Sequence, residues 1–261
     1  MKKILFSGCV LVSMLFGDSF TNSIGMTFIE IPEGDFSTGN QAATCPKDNP
    51  YTEVNEQQVC LDAIKKDQKA KSVVHLKSFY MQTTEVTQKQ WYEIMGTNPS
   101  KFKTGNPAMP VEQISFNEAR KFVKLLNEKE NTTKYDLPTE AQWEYVSCAG
   151  KPIEYSCEED SDRCVNILNL KNINPPSPVA SGTPNDWGIY DMRGNVWEWT
   201  KDCYIPTTSM KKSDAPLSDE PKCTTCCWVN LSDECNAIFR FNYSSNYRYF
   251  PVGFRVVVTK D

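Results

Sequence analysis

The residues with the most distinctive chemistry in this sequence are its eleven cysteines. Four of them lie close together toward the C-terminal end: Cys223, Cys226, Cys227 and Cys235. Thiolates bind soft metal ions such as Cu(I) and also bind zinc, whereas cysteines in oxidising compartments form disulfides. The CxxC step from Cys223 to Cys226 lacks a second spaced pair, so disulfides are favoured over a zinc site.

The N-terminal segment predicts export, which also favours disulfides. Two lysines precede an apolar run from Ile4 to Phe16, and the small residues Gly17 and Ser19 fit cleavage after Ser19. This pattern is typical of a secretory signal peptide. We therefore predict a signal peptide over residues 1–19, cleavage near Ser19, and a periplasmic or extracellular protein.

Cys9 offers an alternative to simple cleavage, because Ser7 and Gly8 before it are the small residues of a lipoprotein signal. Lipidation at Cys9 would attach the protein to a membrane, but the apolar region before it would be very short. Cleavage near Ser19 is favoured and leaves ten of the eleven cysteines, an even number. We predict that all ten form disulfides, with Cys157 and Cys164 able to pair locally.

Overall composition excludes several classes of function. His75 is the only histidine, which excludes multi-histidine zinc sites and histidine-bound iron sites. The formal net charge is −5, from 28 basic and 33 acidic residues, which argues against a general nucleic-acid binder. His75 lies in a predicted strand, and a structural role for it is favoured over catalysis.

Two other groups of side chains could bind a ligand. Asp191 and Glu198 flank a glycine-containing turn, and their hard oxygens together with backbone carbonyls suit calcium. The alternative is a tight turn in which Glu198 pairs with an arginine. Farther along, aromatic residues alternate with arginines and could line a groove for a peptide or a sugar; the alternative is that they pack the loop-rich half of the molecule. The groove candidates are Trp228, Arg240, Tyr243 and Arg248.

These residues must be positioned by strands and helices, and the predicted strands and helices indicate a single α+β domain over residues 20–261. Strands are expected at Gly25–Pro32, at Val73–Met81 and at Gly253–Val258. A polar segment over residues 40–71 is predicted to be an insertion loop. Three helices are predicted from Thr87 with Gln90, Ser115 with Glu118, and Thr139 with Gln142, each a capping-box pair. Gly96 and Gly150 are predicted to end the first and third helices.

Motifs along nearly the whole mature chain resemble those of the formylglycine-generating-enzyme family, also called the sulfatase-modifying factor domain. The specific ones are Leu137–Tyr145 (LPTEAQWEY), Trp187–Trp199 with its GNVWEW end, and Gly253–Val256. The resemblance implies an irregular α+β fold related to C-type lectins, with little regular secondary structure. It also implies calcium ligands at Asp191, Gly194, Val196 and Glu198, the middle two through backbone oxygen.

The same resemblance implies copper-dependent oxidation of a sulfatase cysteine to formylglycine, with two cysteines binding Cu(I). This sequence departs from that pattern. Trp228 matches the family's aromatic residue, but Asn230 replaces the first cysteine, and only Cys235 falls near the second. Cys226 or Cys227 would have to complete the pair.

Two functions therefore compete. In the favoured one, the protein is an exported binding or accessory module, stabilised by calcium, whose partner is a protein or peptide or a glycan. In the other, it is an oxidase whose catalytic residues are Cys235 and Cys226 or Cys227, with copper as cofactor.

Overall fold

A computed structural model describes residues 17–37, 73–151, 175–192, 194–204, 222–228, 238–248 and 250–260. Cys235, the predicted insertion loop at 40–71, Cys157 and Cys164 lie outside the described residues, as does most of the predicted signal peptide. The described residues form a mixed arrangement of helices and short strands, so the α+β prediction is confirmed.

The described strands form three sheets. A five-stranded sheet has the order β1-β2-β5-β11-β6, a four-stranded sheet has the order β10-β7-β8-β9, and β3 pairs with β4. In chain order the strands are β1 (Ser19–Thr21), β2 (Thr27–Ile31), β3 (Gly34–Ser37), β4 (Val73–Leu76), β5 (Phe79–Gln82), β6 (Tyr135–Asp136), β7 (Trp197–Tyr204), β8 (Lys222–Trp228), β9 (Ile238–Ser244), β10 (Val252–Gly253) and β11 (Val257–Thr259).

Three helices begin where the capping pairs predict. They are α1 (Gln88–Met95), α2 (Phe116–Lys129) and α3 (Glu140–Ser147). At each start the N-cap hydroxyl accepts from the backbone N–H three residues later, and that residue's side chain accepts from the N-cap backbone. These reciprocal bonds satisfy donors that a helix start otherwise leaves unpaired.

The predicted glycines act differently at the two helix ends. Gly96 caps α1 in the left-handed region with φ 69°, and its N–H bonds to the Tyr92 carbonyl, as predicted. Cys148, not Gly150, caps α3. Gly150 follows at φ 72° and donates its N–H to the Tyr145 carbonyl, so it closes the turn after the helix.

Two hydrophobic clusters cover the two faces of the five-stranded sheet. On one face, Phe28 and Val258 pack with α1 and α2, where Trp91 stacks on Phe122 at a ring distance of 5.5 Å. On the other face, Met81 packs with α3. The apolar face predicted for α2 is buried in full: Phe116, Ala119, Phe122, Val123 and Leu126.

Two predicted strands are each divided between sheets. Val73–Met81 is not continuous, because β4 pairs with β3 whereas β5 joins the five-stranded sheet. Gly253–Val258 also divides, since β10 pairs with β7 and β11 pairs with β5 and β6. The intervening segment, residues 254–256, is buried on both sides as it passes from one sheet to the other. Strict alternation is therefore lost there.

The structured region includes the end of the predicted signal peptide. Ser19 begins β1 and lies opposite Ile29, and the Asp18 carbonyl accepts the Glu30 N–H. Cleavage after Ser19 would remove the first residue of this strand. Within the described residues, no helix has the length and apolar character needed to span a membrane.

Candidate functional site

A buried ion pair lies where the two larger sheets meet. Arg255, in the segment between β10 and β11, donates from Nε to Glu198 Oε2 at 2.8 Å and from Nη2 to Oε1 at 2.7 Å. Glu198 is on β7, and Trp143 of α3 donates its indole N–H to Oε2 at 2.9 Å. The Arg255 and Glu198 side chains are 0% and 1% exposed. Three separate elements are thus joined through one carboxylate.

Glu85, between β5 and α1, is a second buried carboxylate in this centre. Neither of its oxygens has a hydrogen-bond partner among the described residues. Burial raises the pKa of Glu85 well above its ordinary value; Asp191 raises it further and Arg255 opposes the shift. The sequence does not predict the burial of Glu85, because its neighbours are polar except for Val86.

The turn that leads into β7 is held by unusual backbone conformations. Asp191 and Asn195 have φ values of 57° and 64°, in the left-handed region that asparagine and aspartate tolerate. Asp191 Oδ2 accepts the Ala180 N–H at 2.7 Å, and Asn195 Oδ1 accepts the Ser177 N–H at 3.0 Å. These bonds connect the turn to the segment that precedes it.

This arrangement fits calcium poorly. Of the four predicted ligands, Glu198 has both oxygens bound by Arg255, with Trp143 adding a third donor. A guanidinium in contact with the same carboxylate repels a cation. Among the described residues there is no group of three or more acidic, cysteine or histidine side chains that could hold a metal. Glu198 thus adopts the alternative pairing with an arginine, and calcium binding by Asp191, Gly194, Val196 and Glu198 stays an implication of the family resemblance alone.

The strand register separates the cysteines of β8. Cys226 lies opposite Glu198 on β7 and Arg240 on β9, whereas Cys227 lies opposite Phe239. Because neighbouring strand positions face opposite sides of a sheet, positions 226 and 227 are on different faces. Asn230 and Cys235 lie outside the described residues, so the pairing of Cys235 with Cys226 or Cys227 stays a prediction.

The predicted groove residues are also divided. The register places Trp228 and Arg240 on one face of the four-stranded sheet and Tyr243 on the other. Arg248, in the turn after β9, donates from Nε to Glu118 Oε2 at 2.8 Å, and its Nη2 also contacts Glu118. Glu118 is the capping-box residue of α2, so Arg248 ties this turn to the helix start.

His75 has the structural setting that the sequence favoured. Its Nδ1 lies 2.8 Å from Asp35 Oδ1, directly across the β3–β4 pair. Both side chains are largely exposed, at 61% and 71%. This is a surface contact between two strands, and it lies outside the buried centre formed by Arg255, Glu198 and Glu85.

Comparison with known proteins agrees with this fold. The chain is 31% identical over 177 residues to the chaperone protein LppX of Paenibacillus barcinonensis, covering 48% of this chain and 62% of that protein. It is 32% identical over 119 residues to the formylglycine-generating enzyme of Streptomyces coelicolor, covering 40% and 35%. The chain therefore spans less than two thirds of either relative.

A solved structure and a family model extend the similarity to nearly the whole chain. The crystal structure of CarF matches with a TM-score of 0.60 at 19% identity, covering 91% of this chain and 100% of CarF. The model of the sulfatase-modifying factor enzyme 1-like domain matches residues 17–260. The chain therefore belongs to the sulfatase-modifying factor (formylglycine-generating enzyme) domain family.

Proposed function

We propose that this protein is an exported binding or accessory module of the sulfatase-modifying factor family, without copper-dependent oxidase activity. The observation that carries this proposal is the register of β8, which puts Cys226 and Cys227 on opposite faces of the sheet. A Cu(I) site needs two thiolates that converge on the ion. Strand β8 can therefore place only one of these two cysteines on either face of the sheet.

The sequence beyond β8 adds to the same argument. Asn230 stands where the resemblance calls for the first copper-binding cysteine, and an amide is a hard, weak ligand for Cu(I). Cys235 would need Cys226 or Cys227 as its partner, and both of these precede Trp228 in the sequence. Loss of one of two soft ligands removes most of the affinity of such a site.

A named relative also favours an accessory role. LppX, of which this chain spans 62%, is named a chaperone protein. One fold of this kind can carry unrelated functions, so the family alone does not assign an enzyme activity. We propose that the partner here is an extended protein segment or peptide, with a glycan as the alternative.

The proposed contact face contains Trp228 and Arg240. The register puts both positions on one face of the β8–β9 pair, where an aromatic ring and a guanidinium could contact a peptide. Arg248 is excluded from this face, because it is held by Glu118. Tyr243 is on the opposite face and would support the sheet.

The oxidase assay tests this proposal. The full mature chain, loaded with Cu(I), is incubated with a peptide that carries a sulfatase-type cysteine, and mass spectrometry follows conversion of cysteine to the aldehyde. We expect no conversion, while the Streptomyces coelicolor enzyme converts the same peptide under the same conditions. Conversion that the Cys235→Ser variant abolishes would overturn the proposal and support the oxidase.

Binding is tested separately with an immobilised library of extended peptides and a glycan array. We expect the Trp228→Ala variant to lose at least tenfold in affinity for the peptides that the wild-type chain selects, as expected for an aromatic contact. Tyr243→Phe is the matched control, because it lies on the other face. Equal loss in both variants would contradict the assignment of the contact face.

A further inference from the structure

Two cysteines lie directly opposite each other in the β7–β8 pair. Beyond an irregularity in the register after Trp199, Cys203 aligns with Cys223 and Tyr204 aligns with Lys222. No other pair of cysteines is aligned in this way within the described strands. Cys226 lies opposite Glu198 and Arg240, and Cys227 lies opposite Phe239 on β9.

The backbone spacing at such a position suits a disulfide. Residues directly opposite in an antiparallel pair have Cα atoms about 4.5 or 5.5 Å apart, and a disulfide joins Cα atoms about 4.4–6.8 Å apart. Opposite residues also share one face of the sheet. We infer that Cys203 and Cys223 form a cross-strand disulfide, a modification that fixes the β7–β8 ribbon beyond its irregular register.

The oxidation balances with a disulfide as the oxidant. The two thiols lose two protons and two electrons as one S–S bond forms, and the S–S bond of a disulfide oxidant such as oxidised glutathione breaks as it takes up both electrons and both protons. Two thiols of the oxidant are produced for each bond. The exchange passes through a mixed disulfide between the oxidant and one of the two cysteines.

The bond has a consequence for metal chemistry on β8. It removes Cys223 from the CxxC step with Cys226, so the thiolates that remain on the strand are the two at positions 226 and 227. These occupy opposite faces. The inference does not depend on the proposed function, since the ribbon could carry this bond in a binding module or in an oxidase.

Peptide mapping tests the connectivity in the full chain purified without reductant. Free thiols are alkylated in denaturant, and trypsin then releases residues 202–211 and 223–240 as separate peptides. We expect these two peptides to be joined by one disulfide, with fragment ions that break after Thr224 placing the bond on Cys223. Alkylated Cys203, or Cys203 joined to any other cysteine, would overturn the inference.

Variants give a second, independent measurement. In Cys203→Ser, alkylation should newly label Cys223, and in Cys223→Ser it should newly label Cys203. Cys226→Ser is the matched control, because it should leave the joined peptides intact. We expect Cys203→Ser to lower the melting temperature by roughly 5–10 °C, from the entropy of a closed loop of this size. An unchanged linkage map in Cys223→Ser would also overturn the inference.

Discussion

The interior and the surface of this domain each contain an arginine–glutamate ion pair, and the two pairs differ in burial and in what they connect. Arg255 and Glu198 form a two-point contact with side chains 0% and 1% exposed. Arg248 and Glu118 form the same kind of contact, but their side chains are 58% and 24% exposed. The first pair connects the two larger sheets, whereas the second fastens one turn to a helix start.

The pKa values of two carboxylates near these arginines, Glu85 and Glu118, are shifted in opposite directions. Burial raises the pKa of Glu85, which has no hydrogen-bond partner for its carboxylate among the described residues. Burial also raises the pKa of Glu118, but hydrogen bonds from Ser115 and Arg248 outweigh it and hold the pKa below its ordinary value. Donors close to a carboxylate thus decide whether its charge opposes folding or supports it.

The largest expected effect comes from breaking the interior pair. Arg255→Met leaves Glu198 buried with only the Trp143 donor, and an uncompensated buried charge costs about 3–5 kcal/mol. Urea unfolding at pH 7 should show this loss in the free energy of unfolding. Arg248→Met is the matched control and should lose about 1 kcal/mol or less, because water replaces its partner. Equal losses would remove the distinction between the two regions.

Replacing Glu85 by glutamine should have a smaller effect of the opposite sign. The contribution of Glu85 to stability falls as pH rises from the ordinary pKa of 4.5 through the raised folded-state pKa, because the folded state holds the proton more tightly. Glu85→Gln removes that ionisation and should gain about 1 kcal/mol or more at neutral pH, because a difference of one pKa unit between the folded and unfolded states corresponds to about 1.4 kcal/mol. The gain should vanish below the ordinary pKa. A variant that is less stable than wild type at every pH would contradict this account.

Glu118→Gln should lose only about 0.5–1 kcal/mol at neutral pH, since its arginine is largely solvated. The lowered folded-state pKa means that the contribution is present above 4.5 and is lost as pH falls through the folded-state value. Wild-type and variant unfolding curves should therefore converge in acid. A difference that widens on acidification would show that Glu118 is protonated in the folded state.

Calcium should have the smallest effect. Because Arg255 already binds both oxygens of Glu198, we expect EDTA and added calcium to leave the melting temperature of the wild-type chain unchanged. Calorimetry with calcium alone measures this directly. A calcium-dependent rise that Asp191→Ala abolishes would instead support the ligand set implied by the family resemblance.

The sequence predicted local features better than distant ones. The helix starts at Thr87, Ser115 and Thr139 follow from pairs three residues apart, so a local rule was enough. Arg255 and Glu198 are 57 positions apart, and their pairing depends on the path of the chain between two sheets. The sequence motifs gave the fold class through resemblance, but no spacing rule indicated which arginine would meet Glu198.

Two other features also depend on distant parts of the chain and could not be predicted from the sequence. The burial of Glu85 could not be predicted, because its immediate neighbours in the sequence are polar except for Val86. The strand break at Lys77 and Ser78 was missed for a related reason, since apolar residues on both sides continue the strand pattern although they belong to different sheets.

The position of β11 has a consequence for the order in which the molecule can be assembled. It is the last of the described strands along the chain, yet it lies between β5 and β6 inside the five-stranded sheet. Synthesis must therefore reach β11 before this sheet can close, and contacts between such distant segments slow folding. Until then, the edges of β5 and β6 stay open to other chains. Premature termination just before Val257 would leave a chain that contains every other described strand and helix and still cannot complete the five-stranded sheet.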